Sequence, residues 1–307
     1  MNKVTIEKVR YCDWDNCLEM RNARVRLIIT TDVGPRVIHF STIDGPNEFH
    51  QNSEQLGRCG DPEWHIYGGH RLWTSPQVGY RPNQPDNEPV QWEIIDGNCV
   101  RLIAQPERAT QVQKQITVTL DPELPLVRIN HQIWNRGLWP IRLAPWALTV
   151  MREGGMEVFP LPREDTLFMP NYALSFWPWT NPKDHRFTLG EHYMFLKQDA
   201  ADKRWFKIGY RNTEGWGAYF NNRQMFVKLY DEIPGKTYPD YGSTFETYTD
   251  ADFIELESLG PLEEISTDQY VSHTEQWYLL DDVKAPSCEK DVEENILPLI
   301  TRIKGKK

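Results

Sequence analysis

Apolar positions recur every second residue over most of this chain. In residues 126–134, Val127, Ile129, His131 and Ile133 alternate with Arg128, Asn130 and Gln132. In residues 114–120, Ile116, Val118 and Leu120 alternate with Gln115, Thr117 and Thr119. A period of two places one set of side chains on each face of a strand. Turn residues punctuate the runs at Asp44-Gly45-Pro46, Asp96-Gly97-Asn98, Asn135-Arg136-Gly137, Pro234-Gly235 and Leu259-Gly260-Pro261. Helical spacing is confined to residues 292–303. Many short strands between regular turns predict an all-β sandwich or barrel with one short C-terminal helix.

Two stretches break the alternation. Residues 52–89 are rich in Gly, Pro, Trp and His, and residues 160–190 contain Pro160, Pro162, Pro170, Pro178 and Pro182. Long loops inside a compact domain are usually functional or disordered, and the aromatic density here argues against disorder. No repeat, low-complexity tract or linker interrupts the chain. Residues 1–307 are therefore expected to form a single domain, within the size of a large β domain.

Charge narrows the choice of partners. The net charge is −10 without a basic stripe, so nucleic acid and anionic membranes are not expected partners. The five cysteines are scattered and form no CxxC, so neither a disulfide scaffold nor a structural zinc site is expected. The N-terminus has no apolar leader and no run approaches a membrane span, which reads as a cytoplasmic protein. Twelve Trp, thirteen Tyr and twelve Phe often stand beside Arg, His, Asn or Glu. That mixture suits a ligand with an apolar face and a hydroxyl rim, as a sugar has.

Three groups of residues carry candidate chemistry. The first is Tyr67-Gly68-Gly69-His70-Arg71-Leu72-Trp73-Thr74-Ser75-Pro76-Gln77, read as a loop near a ligand. His70 can move a proton near neutral pH, Arg71 offers a fork of donors, and Trp73 can stack. The alternative is a tight loop whose His and Arg satisfy backbone carbonyls. The second is Asp252-Phe253-Ile254-Glu255-Leu256-Glu257-Ser258. On a strand Glu255 and Glu257 share a face, and two close carboxylates push one proton affinity up, as acid–base work requires. The alternative is a solvated strand face. The third group is basic: Lys228, Arg186 and Lys207, each either a substrate ligand or a salt-bridge partner. The remaining histidines show no metal-ligand spacing, and no phosphate loop or nucleophile elbow is present, so no metal or cofactor is expected.

In order, these segments resemble the galactose mutarotase-like superfamily, which includes the aldose 1-epimerases. Residues 27–40, with Gly34-Pro35-Arg36, are similar to the family's first hairpin. Residues 67–73 resemble its Gly/His/Arg segment, and Leu256-Glu257-Ser258 resembles the Leu-Glu-Thr that carries its base. Leu259-Gly260-Pro261 followed by residues 271–277 resembles the closing hairpin of a mutarotase-like subgroup. The resemblance spans about 18–280. It implies a large twisted β-supersandwich and exchange of α- and β-anomers of an aldose, without a cofactor. Glu257 stands at the base position. The segment 143–149, where the family places its acid histidine, holds none and has Trp146 instead, so His70 is the candidate acid. Arg71, Trp73, Glu255, Lys228, Arg186 and Lys207 are the candidate sugar ligands. The expected function is an aldose 1-epimerase-like isomerase acting on a small sugar. The alternatives are a sugar-binding protein without turnover and a lyase for acidic sugars. Oligomeric state is not specified by these residues.

Overall fold

The computed structural model describes residues 3–79 and 81–305. Two antiparallel sheets, of eleven and ten strands, pack face to face. The alternation read from the sequence is what joins them. Val127, Ile129 and Ile133 point inward from the second sheet, and Leu27, Val37, Leu72 and Leu256 point inward from the first, all in one buried core. The turns at Asp96-Gly97-Asn98, Asn135-Arg136-Gly137 and Gly260-Pro261 fall between consecutive strands. Asn222 and Arg223, both at positive φ, make the tight hairpin between Trp216–Asn221 and Gln224–Tyr230.

The C-terminal helix covers residues 289–304, with a wider π turn at Val292–Ile296. Val292, Ile296, Ile300 and Ile303 recur at helical spacing. They bury against Val158, Trp216, Val227 and Tyr278 on the outer face of the second sheet. That part of the second sheet is therefore apolar on both faces. Among the described residues no helix is long and apolar enough to cross a membrane.

The sequence reading of residues 67–77 as a loop is corrected here. Gly69–Ser75 is a strand in the middle of the first sheet, between Arg36–Thr42 and Ile141–Met151. Gly68 and Gly69, at φ of 104° and 68°, open it. A Cβ on Gly69 would stand 2.2 Å from the Val37 carbonyl oxygen, so the close approach of backbone requires glycine there.

The first sheet is also strongly curled. Its strands Gly69–Ser75 and Leu174–Phe176 lie five places apart, a separation of about 24 Å in a flat sheet. Yet Ser75 Oγ donates to Asp240 Oδ2 at 3.2 Å and Ser175 Oγ donates to the Asp240 carbonyl at 3.0 Å. One residue bridges both strands. The outer face is thus a trough, with the Pro239–Gly242 turn across one end, and its charged side chains are buried although they point away from the inter-sheet core.

Candidate functional site

Strand register lays out the trough. Reading across the sheet, Arg71 pairs with Leu148, Leu148 with Glu257, and Glu257 with Glu246. In the next row Val150 pairs with Glu255, Glu255 with Tyr248, and Tyr248 with Lys207. On the other side Trp73 pairs with Trp146 and Trp146 with Leu259. Because side chains alternate, these rows share the outer face. The intervening row, His70, Thr149, Leu256 and Thr247, faces the core.

The outer-face charges form two linked pairs. Arg71 Nη2 donates to Glu255 Oε1 at 3.1 Å. Lys207 Nζ lies 2.7 Å from Glu257 Oε2 and 2.8 Å from Glu246 Oε2. Trp146 Nε1 donates to the same Glu257 oxygen at 2.7 Å. Aromatic rings wall the cluster: Arg71 lies over Trp73 with its guanidinium carbon 4.6 Å from the ring centre, and Lys207 Nζ is 4.5 Å from that of Trp146 and 4.9 Å from that of Trp177. Four buried polar atoms have no protein partner: Arg71 Nε and Nη1, Glu257 Oε1 and Glu246 Oε1. Buried polar atoms are normally satisfied, so these four atoms have hydrogen-bonding capacity left for a polar ligand or water.

Burial sets the protonation pattern. Burial pushes Glu255 up to about 7, with Arg71 opposing it and Glu257 adding to it. Burial also raises Glu246 well above the usual carboxylate range, against the pull of Lys207. Burial alone would lower Lys207, but Glu246 and Glu257 outweigh it and hold the ammonium charged. The trough therefore holds a carboxyl, Glu255, whose proton affinity lies near neutral pH, where acid–base work needs it.

Of the residues singled out in the sequence, the structure brings together Arg71, Trp73, Glu255, Glu257 and Lys207. It does not bring His70, Lys228 or Arg186 to them. His70 is one pleat out of phase with Arg71 and points into the core. Its Nε2 lies 2.7 Å from His131 Nε2 and its Nδ1 2.8 Å from Thr149 Oγ1. Lys228 points into the same core, donating to the Leu256 carbonyl at 2.8 Å and pairing with Glu275 at 2.9 Å. Arg186 is spent locally, donating to both carboxylate oxygens of Asp184 at 3.0 Å. Glu246, Trp146 and Trp177 complete the trough without having been singled out as ligands. The signal for Glu246 was present, since Glu246 and Tyr248 alternate with Phe245, Thr247 and Thr249.

The core-facing groups close a network of their own. The His131 Nδ1–H donates to the His273 carbonyl at 3.0 Å, so its Nε2 is the acceptor and the His70 Nε2–H the donor. Ser258 Oγ lies 2.6 Å from His273 Nε2 and donates to Glu275 at 2.5 Å, and Trp277 Nε1 donates to Glu275 at 2.8 Å. His70, His131 and Glu275 do bring one ligand atom each within 4.8 Å of one another. The two Nε2 atoms, however, share a proton at a spacing shorter than the roughly 3.3 Å that tetrahedral zinc imposes on ligands. Burial keeps His70 and His131 neutral, lowering both. A separate concavity of about 540 Å³ near the C-terminal helix is lined by Arg24, Leu280 and Arg302, and its carboxylates Asp44 and Asp281 are exposed. It lacks the buried carboxylates of the trough.

No family model matches the sequence, and no curated protein matches it. Solved structures do match. A galactose mutarotase-like protein from Lactobacillus casei is 10% identical, with 86% of this chain and 100% of that chain covered and a TM-score of 0.54. A galactose mutarotase related enzyme from Lactobacillus acidophilus is 8% identical, with 89% and 100% covered and a TM-score of 0.50. A TPR-domain containing protein from Parabacteroides distasonis is 14% identical over 89% of this chain, with a TM-score of 0.57, and this chain spans 49% of its length. At these identities the likeness is one of fold, and it agrees with the two curled antiparallel sheets: the chain has the galactose mutarotase-like fold.

Proposed function

We propose that the trough binds an aldose and exchanges its anomers, with Glu257 as base and Glu255 as acid. The observation that carries this reading is the set of unpartnered buried atoms on Arg71, Glu257 and Glu246, enclosed by Trp73 and Trp146. Arg71 has two free N–H groups to give to sugar hydroxyls. Glu257 is held through one oxygen by Lys207 and Trp146, which leaves Oε1 to take the proton of the anomeric hydroxyl. As that proton leaves, the C1–O5 bond breaks and the ring oxygen must gain one. Glu255 lies two residues along the same strand face, about 7 Å away at the backbone, and its raised proton affinity suits the donor. Rotation about C1–C2 and ring closure with the roles reversed give the other anomer.

In this reading His70 takes no part in the step. Its side chain is on the opposite face of the strand from Arg71, engaged with His131 and Thr149.

Polarimetry of freshly dissolved aldoses tests the reading. Wild type is expected to speed mutarotation of at least one sugar in a broad panel, and Glu257→Gln to lose about 100-fold or more of that rate. A panel without any acceleration removes the isomerase reading. Saturable sugar binding under the same conditions then supports a binding protein that uses the same trough.

A further inference from the structure

Beyond the trough, an aromatic platform continues the site toward solvent. The edge strand Leu174–Phe176 pairs antiparallel with Phe206–Tyr210, Phe176 opposite Ile208. Beyond Phe176 the chain makes a turn over residues 177–180, the Thr180 N–H donating to the Trp177 carbonyl at 2.9 Å, and this turn lies against residues 205–207. The contacts agree: Lys207 Nζ lies 4.9 Å from the Trp177 ring centre, and the Trp179 and Trp205 rings meet edge to face at 5.9 Å. Thr180 ties the two segments together, donating from Oγ1 to the Lys207 carbonyl at 2.7 Å and accepting from the Lys207 N–H at 3.0 Å. Residues 205 and 207 are one pleat repeat apart, about 7 Å, so the Trp pair lies on the same face and one step beyond the ammonium that holds Glu257.

The two positions differ sharply in exposure. Lys207 is 5% exposed, whereas Trp179 is 46% and Trp205 56% exposed. Two large rings left in water beside a buried polar site are costly unless something covers them. Tyr248, half-buried between Lys207 and Glu255, carries the aromatic surface on toward the carboxylates. The Asp240 bridge across Ser75 and Ser175 lies toward the other end of the trough. A ligand that leaves by the Tyr248 end meets the Trp pair.

We infer that Trp179 and Trp205 form an outer subsite that stacks a further pyranose ring, so that the ligand is an oligosaccharide with its reducing end in the trough. This rests on the aldose reading of the trough. A ring flanked by C–H groups on one face suits a Trp platform, and a rigid aromatic contact loses little conformational freedom on binding.

The test compares glucose and galactose with maltotetraose, cellotetraose and β-1,4-galactotetraose by isothermal titration, alongside mutarotation rates by polarimetry. At least one tetraose is expected to bind tenfold or more tighter than its own monomer. Trp205→Ala and Trp179→Ala should each remove most of that advantage, leave monomer binding unchanged, and keep the melting temperature because both rings are exposed. Trp205→Phe should restore part of it. Tetraoses that bind no tighter than monomers overturn the subsite, and so does an advantage that survives the double alanine variant. Mutarotation of monomers with no tetraose advantage leaves the aldose reading standing and the subsite fallen. A Trp-dependent tetraose advantage without any mutarotation does the reverse. With neither, both are overturned.

Discussion

At the scale of single residues, the trough depends on one ammonium group. Lys207 is buried between Glu246 and Glu257 and is the cation nearest to both. Removing one partner of a buried ion pair leaves the other charge unpaired, typically at a cost of about 3–5 kcal/mol. Lys207→Met is therefore expected to lose stability of that order at neutral pH, measured by denaturant unfolding. The sign with pH follows from Glu246, whose proton affinity is already raised in the folded state. A raised carboxyl is protonated more readily folded than unfolded, so its contribution is lost as pH rises. Without Lys207 the pull that opposes burial is gone, so Glu246 holds its proton to still higher pH, and the deficit of Lys207→Met should grow as pH rises through the raised wild-type range of Glu246 and shrink below it. A deficit independent of pH contradicts the assignment. Of the candidate cations, Lys207 lies in the trough and Lys228 does not, and the position of Lys228 was not legible in the sequence. Met225, Val227 and Leu229 pack under the C-terminal helix while Phe226 and Tyr230 join the inner core. With both strand faces apolar, nothing in the local pattern told which face Lys228 would share. Arg186 did carry a local sign: Asp184, two residues away, is its partner.

At the scale of elements, the placement of chemistry turns on whether residues 69–75 are a loop or a strand. In a loop, His70 and Arg71 can point the same way. In a strand they cannot, and the histidine goes to the core while the arginine goes to the trough. The two glycines obscured this, because they read as loop-formers yet let the backbone approach the His50 and Val37 carbonyls closely. Gly69→Ala tests that role. Its φ of 68° and the 2.2 Å approach to the Val37 carbonyl leave no space for a methyl group. The variant should lose well over about 1 kcal/mol by denaturant unfolding, and a neutral effect would show that the backbone relaxes freely there. The Glu255–Glu257 strand was legible for the opposite reason. Its alternation is clean, with Ile254, Leu256 and Ser258 inward and both carboxylates outward.

Across the whole molecule, the two sheets divide the labour. The second sheet is covered on its outer face by the C-terminal helix, which leaves the outer face of the first free to curl into a trough. The fold class, the turns and the terminal helix all followed from periodicity in the sequence. The curl did not, because it depends on contacts such as Asp240 with Ser75 and Ser175, which are remote in the chain. That curl explains how Glu246, Glu255 and Glu257 come to be buried on a face that points away from the core, and why burial raises the proton affinities of Glu246 and Glu255. In the proposed mechanism this outer-face carboxylate pair, not the core-facing histidine, performs proton transfer. Anomer exchange followed by NMR on one accepted aldose at pH 6.5, for wild type, Glu255→Gln and His70→Gln, tests it most directly. Glu255→Gln is expected to lose about 100-fold or more, folded His70→Gln to stay within a few-fold of wild type, and the wild-type rate to fall as pH rises through about 7, where Glu255 loses its proton. Loss of exchange in folded His70→Gln with Glu255→Gln left active would contradict it.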